Sequence, residues 1–107
     1  MSSKTLSDAS LPAANVAIPQ HVVHRSFPAE TVVLNLRTGT YHGLNPTGGA
    51  MFDALASTGS ARAAAAVIAE RYDEPEDEVE QDLCELCEAL HERGLIEIDG
   101  RANTPDG

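Results

Sequence analysis

Apolar and polar positions alternate along the first half of this chain and recur with helical spacing along the second. His21 to Phe27 is β-branched and polar by turns, which predicts a strand. Thr31 to Leu36 is a second strand, with Val32, Leu34 and Leu36 on one face and Thr31, Val33 and Asn35 on the other. Arg37-Thr38-Gly39 then suits a three-residue hairpin loop with Gly39 as its left-handed residue, and Thr40 to Leu44 returns as the partner strand. Pairing Leu36 with Thr40 sets Leu34 opposite His42 and Val32 opposite Leu44, which stacks one apolar face.

Asn45-Pro46 is a helix start, Asn as N-cap and Pro at the first helical position. This first helix should run to about Ala56 with Met51, Phe52 and Leu55 as its stripe, until Thr58-Gly59 breaks it. Ser60 can cap the second helix, Ala61 to Tyr72, in which Val67, Ile68 and Tyr72 must supply most of the bulk. Pro75 opens a third helix that ends at Arg93, with Gly94 as its C′ residue and Glu76, Asp77 and Glu78 in the first turn. Along it Val79, Leu83, Leu86 and Leu90 form one buried stripe. Leu95, Ile96 and Ile98 can pack or add a strand. An antiparallel sheet of three strands followed by three helices is a winged-helix-like α+β domain.

Composition sets the limits of this domain. The 107 residues allow one folded unit, read as residues 20–99, between Ser/Ala/Pro-rich residues 1–19 and residues 100–107, both expected to be flexible tails. The longest apolar run, Ala63 to Ala69, is far too short for a membrane span, and no apolar stretch follows Lys4 as a secretory signal requires. Two cysteines without such a signal are no disulfide framework, so a cytoplasmic chain is expected.

Charge decides more. Residues 73–99 hold twelve carboxylates and one base, while the other eighty residues carry six bases and five acids. Winged helices often bind DNA, and a DNA-binding regulator is the alternative function for this architecture. Yet residues 74–93 hold nine acids and one base where a recognition helix must be basic. Neither nucleic acid nor membrane is expected as a partner.

Cys84, Cys87 and His91 form C-x-x-C-x-x-x-H within one helix. Structural zinc sites usually draw ligands from two segments, and a redox pair belongs at a helix N-terminus rather than past the middle of an acidic helix. The two cysteines read as small apolar residues, and no metal or cofactor is expected. No nucleophile elbow, phosphate loop or paired carboxylates suggest an enzyme, and Gly48-Gly49 lacks the Lys of a phosphate loop.

Binding remains. The strand Thr40, Tyr41, His42, Gly43, Leu44 can be a sheet edge, a template for a strand from another chain. Between the core stripe and the acidic face of the third helix lies a softer stripe, Glu80, Cys84, Cys87 and His91. Strand and stripe would be the two walls of a peptide-binding groove.

These same residues carry a resemblance. Val32-Val33-Leu34-Asn35-Leu36, the stretch Gly39-Thr40-Tyr41-His42-Gly43-Leu44-Asn45-Pro46-Thr47-Gly48, Tyr72-Asp73, Glu78-Val79-Glu80 and Leu90-His91-Glu92-Arg93-Gly94-Leu95 resemble the PqqD-like family over about residues 20–98. Its members recognise ribosomally made, post-translationally modified peptides. The resemblance implies a non-catalytic role, in which the leader of a precursor peptide docks as an added strand against the third helix. It is then presented to a modifying enzyme such as a leader peptidase, a cyclase or a radical SAM enzyme. The Leu-Asn-Pro-Thr-Gly form looks closest to the stand-alone leader-binding proteins of lasso-peptide clusters.

Overall fold

The computed structural model describes residues 11–99. A 3-10 turn, Leu11–Ala13, leads into β1 (Val16–Ala17), β2 (Val22–Ser26), β3 (Thr31–Asn35) and β4 (Tyr41–Leu44). Three helices follow, α1 (Pro46–Thr58), α2 (Ala61–Tyr72) and α3 (Glu76–Glu92), and then β5 (Glu97–Ile98). Strands β2, β3 and β4 form an antiparallel sheet in chain order, while β1 pairs with β5 in a second, two-stranded sheet.

Part of the segment expected as a flexible tail, residues 1–19, is folded. Leu11 and Val16 are buried in the core, and Val16 pairs with Ile98, so residues from 11 onward belong to the fold. The remainder of that segment, and residues 100–107, lie outside the described residues.

The helix boundaries follow their local signals. Gly48 N donates to Asn45 Oδ1 at 2.7 Å and Ala63 N donates to Ser60 Oγ at 3.1 Å, so both caps satisfy an otherwise orphaned amide. Helix α3 starts on Pro75 with no side-chain cap, and its acidic first turn faces the positive end of the helix dipole. Gly94, at φ 71°, ends the segment, with Leu95 N returning to Leu90 O.

The hairpin departs from the expected register by one residue. Asn35, not Leu36, sits opposite Thr40: Asn35 N donates to Thr40 O, and Gly39 N donates to Asn35 O. Leu34 therefore faces Tyr41 and Val33 faces His42. The cause is the Asn35 side chain, whose Oδ1 accepts from Arg37 N at 2.9 Å and from Thr38 N at 3.2 Å. That Asx turn draws Leu36 out of pairing with β4 and lengthens the loop, with Gly39 supplying the left-handed φ of 79°.

The buried face of β3 is correspondingly Thr31, Val33 and Asn35, whereas Val32 and Leu34 are half-buried and Leu36 is exposed. Two polar residues are tolerated inside because they are bonded. Thr31 Oγ1 meets Ser26 Oγ at 3.1 Å, and Asn35 Nδ2 donates to Gly94 O at 3.0 Å. Helix α1 comes very close to this face: a Cβ on Gly49 would lie 2.5 Å from Thr31 Oγ1.

Between sheet and helices the core holds Val33, Phe52, Leu55, Ile68, Leu83 and Leu90. Helix α2 packs differently from its expected stripe. Val67 and Tyr72 are exposed, and Ala61, Ala64, Ala65 and Ala69 are buried beside Ile68. Small side chains let the neighbouring helices approach, so bulk comes from the partners instead. In α3, Cys87 replaces Leu86 in the buried stripe.

Candidate functional site

The register determines which backbone groups of β4 are already used. In an antiparallel pair, hydrogen-bonded and non-hydrogen-bonded positions alternate. Asn35 bonds Thr40, so Val33 with His42 and Thr31 with Leu44 are the next bonded pairs. Tyr41 and Gly43 fall between them, with N–H and C=O directed away from β3. Both residues are exposed, and β4 ends the sheet order. This edge is a row of main-chain donors and acceptors at the spacing a further strand requires.

One end of the edge is clamped to α3. The Asn35 Nδ2 bond to Gly94 O ties the hairpin to the segment leaving the helix. Arg93 lies close enough to His42 to act on its imidazole. Partial burial, and secondarily the Arg93 charge, hold the His42 pKa below its ordinary 6.5.

Helical geometry and one ion pair separate two flanks of α3. At about 100° per residue, Glu80, Cys84, Cys87 and His91 follow one flank, whereas Asp82, Leu86, Ala89 and Arg93 follow the other. Glu80 Oε2 pairs with Arg62 Nε of α2 at 3.4 Å, so the first flank turns toward α2. Arg93, whose charge acts on His42 of β4, lies on the second. Leu86 and Ala89 are half-buried there, and Leu86 packs against the core.

The expected groove residues thus divide. Thr40, Tyr41, His42, Gly43 and Leu44 stand together on the edge strand, but His42 and Leu44 spend their main-chain groups on β3 and Leu44 is buried. Glu80, Cys84 and His91 are half-buried on the α2 side of the helix, and Cys87 is fully buried in the core. A buried Cys87 has no side chain to offer a peptide, so it leaves the expected wall. His91 Nε2 is itself enclosed, with no hydrogen-bond partner among the described residues. The two flanks have the same i, i+4, i+7, i+11 spacing, and only the position of α2 distinguishes them. Leu86 is apolar and falls in the expected stripe, yet it is only half-buried.

The described residues present an open strand edge on β4 and, on α3, a half-buried Leu86 and Ala89 in line with Arg93. The family model described as Coenzyme PQQ synthesis protein D (PqqD) matches residues 30–96, which span β3, β4 and all three helices. The chain belongs to the PqqD family. No curated protein matches it. Among solved structures, TbiB1 in complex with the TbiA(beta) leader peptide is similar to this PqqD-family chain with a TM-score of 0.68 and 30% identity, covering 81% of this chain and 99% of that one. A lasso peptide synthetase B1 complexed with the leader peptide has a TM-score of 0.68 at 23% identity, covers 78% of this chain and 99% of its own, and shares the fold. Among the described residues no helix is long and apolar enough to cross a membrane.

Proposed function

We propose that this protein binds the leader of a ribosomally made precursor peptide by strand addition and presents it to a modifying enzyme or leader peptidase, in a lasso-peptide-like or related pathway. The observation that carries the reading is the edge of β4, where Tyr41 and Gly43 point outward main-chain groups that no other strand among the described residues pairs. A strand laid there gains ladder bonds that do not depend on its own side chains, and alternate side chains of it reach the helix. The 30%-identical relative is a complex with a leader peptide, which supports the same use of this fold.

The role is non-catalytic: the groove walls are main chain, a leucine and an alanine, groups that hold rather than react. The acids on α3 steer a peptide carrying Lys or Arg and repel a phosphate backbone, so the reading of a DNA-binding regulator is disfavoured. We assign the protein to the cytoplasm, where a ribosomal product is made and thiols stay reduced.

The test is calorimetric titration with the leader encoded beside this chain. Tyr41→Pro removes an outward N–H that β3 does not use, so the domain should keep its helical circular dichroism while leader affinity falls about tenfold, the worth of one ladder bond. Tyr41→Ala should bind within a few-fold of the wild type. Equal binding by the Pro and Ala variants would place the peptide elsewhere.

A further inference from the structure

A strand laid along β4 sends alternate side chains to the two faces of the sheet, and only one set turns toward the helices. The other set lies on the outer face, in line with Tyr41 and Gly43, whose cross-strand partners Leu34 and Val32 face the same way. These two positions of the edge are unlike. Tyr41 is 66% exposed and presents a phenol ring. Gly43 presents bare backbone with a carboxylate over it: a Cβ on Gly43 would meet Glu30 Oε1 at 3.4 Å. We propose that Glu30 is a specificity residue of this site and selects a Lys or Arg at the strand position beside Gly43, an inference that rests on the leader-binding reading above.

Local structure fixes where this carboxylate stands. Phe27 N donates to Glu30 O at 2.7 Å and Glu30 N donates to Phe27 O at 3.3 Å, so Glu30 closes the β2–β3 turn as half of a bonded pair. Two residues before Val32, its side chain emerges on the outer face. Val32 stands opposite Gly43, so the Glu30 side chain runs diagonally toward the edge strand, where the missing side chain of Gly43 leaves it room. Glu30 is exposed, and the ion pairs among the described residues join His24 to Asp53 and Arg62 to Glu80. Arg25 shares the outer face but stands on β2, opposite Val32, so β3 lies between it and the edge.

The spacing suits a long basic side chain. Directly paired residues on neighbouring strands hold their Cβ atoms about 4.5–5.5 Å apart. From that place a Lys or Arg can lay its methylene stem across the bare backbone of Gly43 and bring its charged head to the Glu30 carboxylate. An Asp or Glu there meets a like charge, and an apolar residue gains nothing from the carboxylate. The direction of the added strand does not alter this: one outer-face side chain falls beside Gly43, and the next, two residues along, beside Tyr41. The acids of α3 act on the whole charge of a peptide from a distance, whereas Glu30 acts on one position of it.

The experiment titrates the full chain calorimetrically with the synthetic leader of the precursor encoded beside it, and with copies of that leader in which each Lys or Arg in turn is replaced by Gln. Glu30→Gln should weaken binding of the unaltered leader about threefold and Glu30→Lys about tenfold, as a cross-strand charge pair is lost or reversed, with larger effects at low salt. Glu30→Gln alone decides the matter if Glu30→Lys disturbs the turn. Glu70→Gln on α2, which removes the same unit of charge elsewhere, should bind as the wild type does. One leader copy should be insensitive to Glu30→Gln, because the cation it lacks is the one that Glu30 pairs with. Glu at that leader position should restore binding to Glu30→Lys. Equal affinity of the wild type and both Glu30 variants overturns the proposal. So does a loss that every leader copy shares evenly or that Glu70→Gln matches, which would assign the effect to net charge alone. A leader that lacks Lys and Arg and still binds overturns it too. A wild-type chain that binds no leader ends the leader-binding reading and this inference with it; leader binding that ignores Glu30 leaves that reading standing.

Discussion

Asn35 is the residue on which the shape of the groove depends, and its removal should be costly. It is 4% exposed and makes three side-chain hydrogen bonds: it donates to Gly94 O at 3.0 Å and accepts from Arg37 N and Thr38 N. At about 0.5–1.5 kcal/mol net for each bond, Asn35→Ala should lose about 2–4 kcal/mol. For a domain of this size that is a fall in Tm of roughly 10–25 °C. Asn35→Asp separates the two roles. It keeps both acceptor bonds of the turn, but it sets a carboxylate oxygen against the Gly94 carbonyl and releases α3. Urea denaturation gives the stabilities, and amide exchange distinguishes the variants. Arg37 and Thr38 amides should stay protected in the Asp variant and open in the Ala variant. Leader binding should weaken in both, because the end of the groove is no longer held. A loss under about 1 kcal/mol for Asn35→Ala would refute the claim that this side chain sets the register and ties the hairpin to the helix.

Three further outcomes follow from the same geometry. Gly49→Ala puts a Cβ 2.5 Å from Thr31 Oγ1, so either α1 or β3 must shift, at a cost of about 1–3 kcal/mol in denaturant unfolding; a neutral or stabilising alanine would contradict the close approach. His42 is depressed below 6.5, so its contribution to stability is present above that pH and is lost as pH falls through the lowered value. Arg93→Ala should raise the His42 pKa in an NMR titration while leaving it below 6.5, since burial, the larger cause, remains; no change would separate Arg93 from the strand. On the helix, Leu86→Glu or Ala89→Glu should weaken leader binding several-fold, while Glu80→Ala, which removes only a partly exposed ion pair with Arg62, should leave it unchanged; the reverse pattern would move the groove to the other flank.

Much of this architecture was legible in local signals. Asn45, Ser60 and Gly94 terminate helices where their side chains or conformations require it, and the spacing of Met51, Phe52 and Leu55 gives the buried side of α1. The failures share a cause, namely that a tertiary partner decides between two locally equivalent choices. Leu36 is a better strand residue than Asn35, but the Asn35 side-chain Oδ1 captures two turn amides and shifts the ladder by one. Burial of Thr31 and Asn35 over Val32 and Leu34 depends on bonds to Ser26 and to Gly94, 59 positions away in the latter case. Leu11 and Val16 read as part of a loose segment because the surfaces that bury them, α2, α3 and β5, come much later in the chain. The edge strand itself was found correctly from its place after a hairpin. The full burial of Cys87 on α3 was not legible, because nothing within that helix records where α2 lies.

The most direct test of strand addition is hydrogen exchange at single amides of β4, with and without the leader. The amides of His42 and Leu44 are already bonded to β3 and should be slow in both states, whereas those of Tyr41 and Gly43 should exchange freely alone and become protected in the complex. Protection rising at Tyr41 and Gly43, with His42 and Leu44 unchanged, is the result this account predicts. A leader that binds while leaving the Tyr41 and Gly43 amides as exposed as before would contradict it.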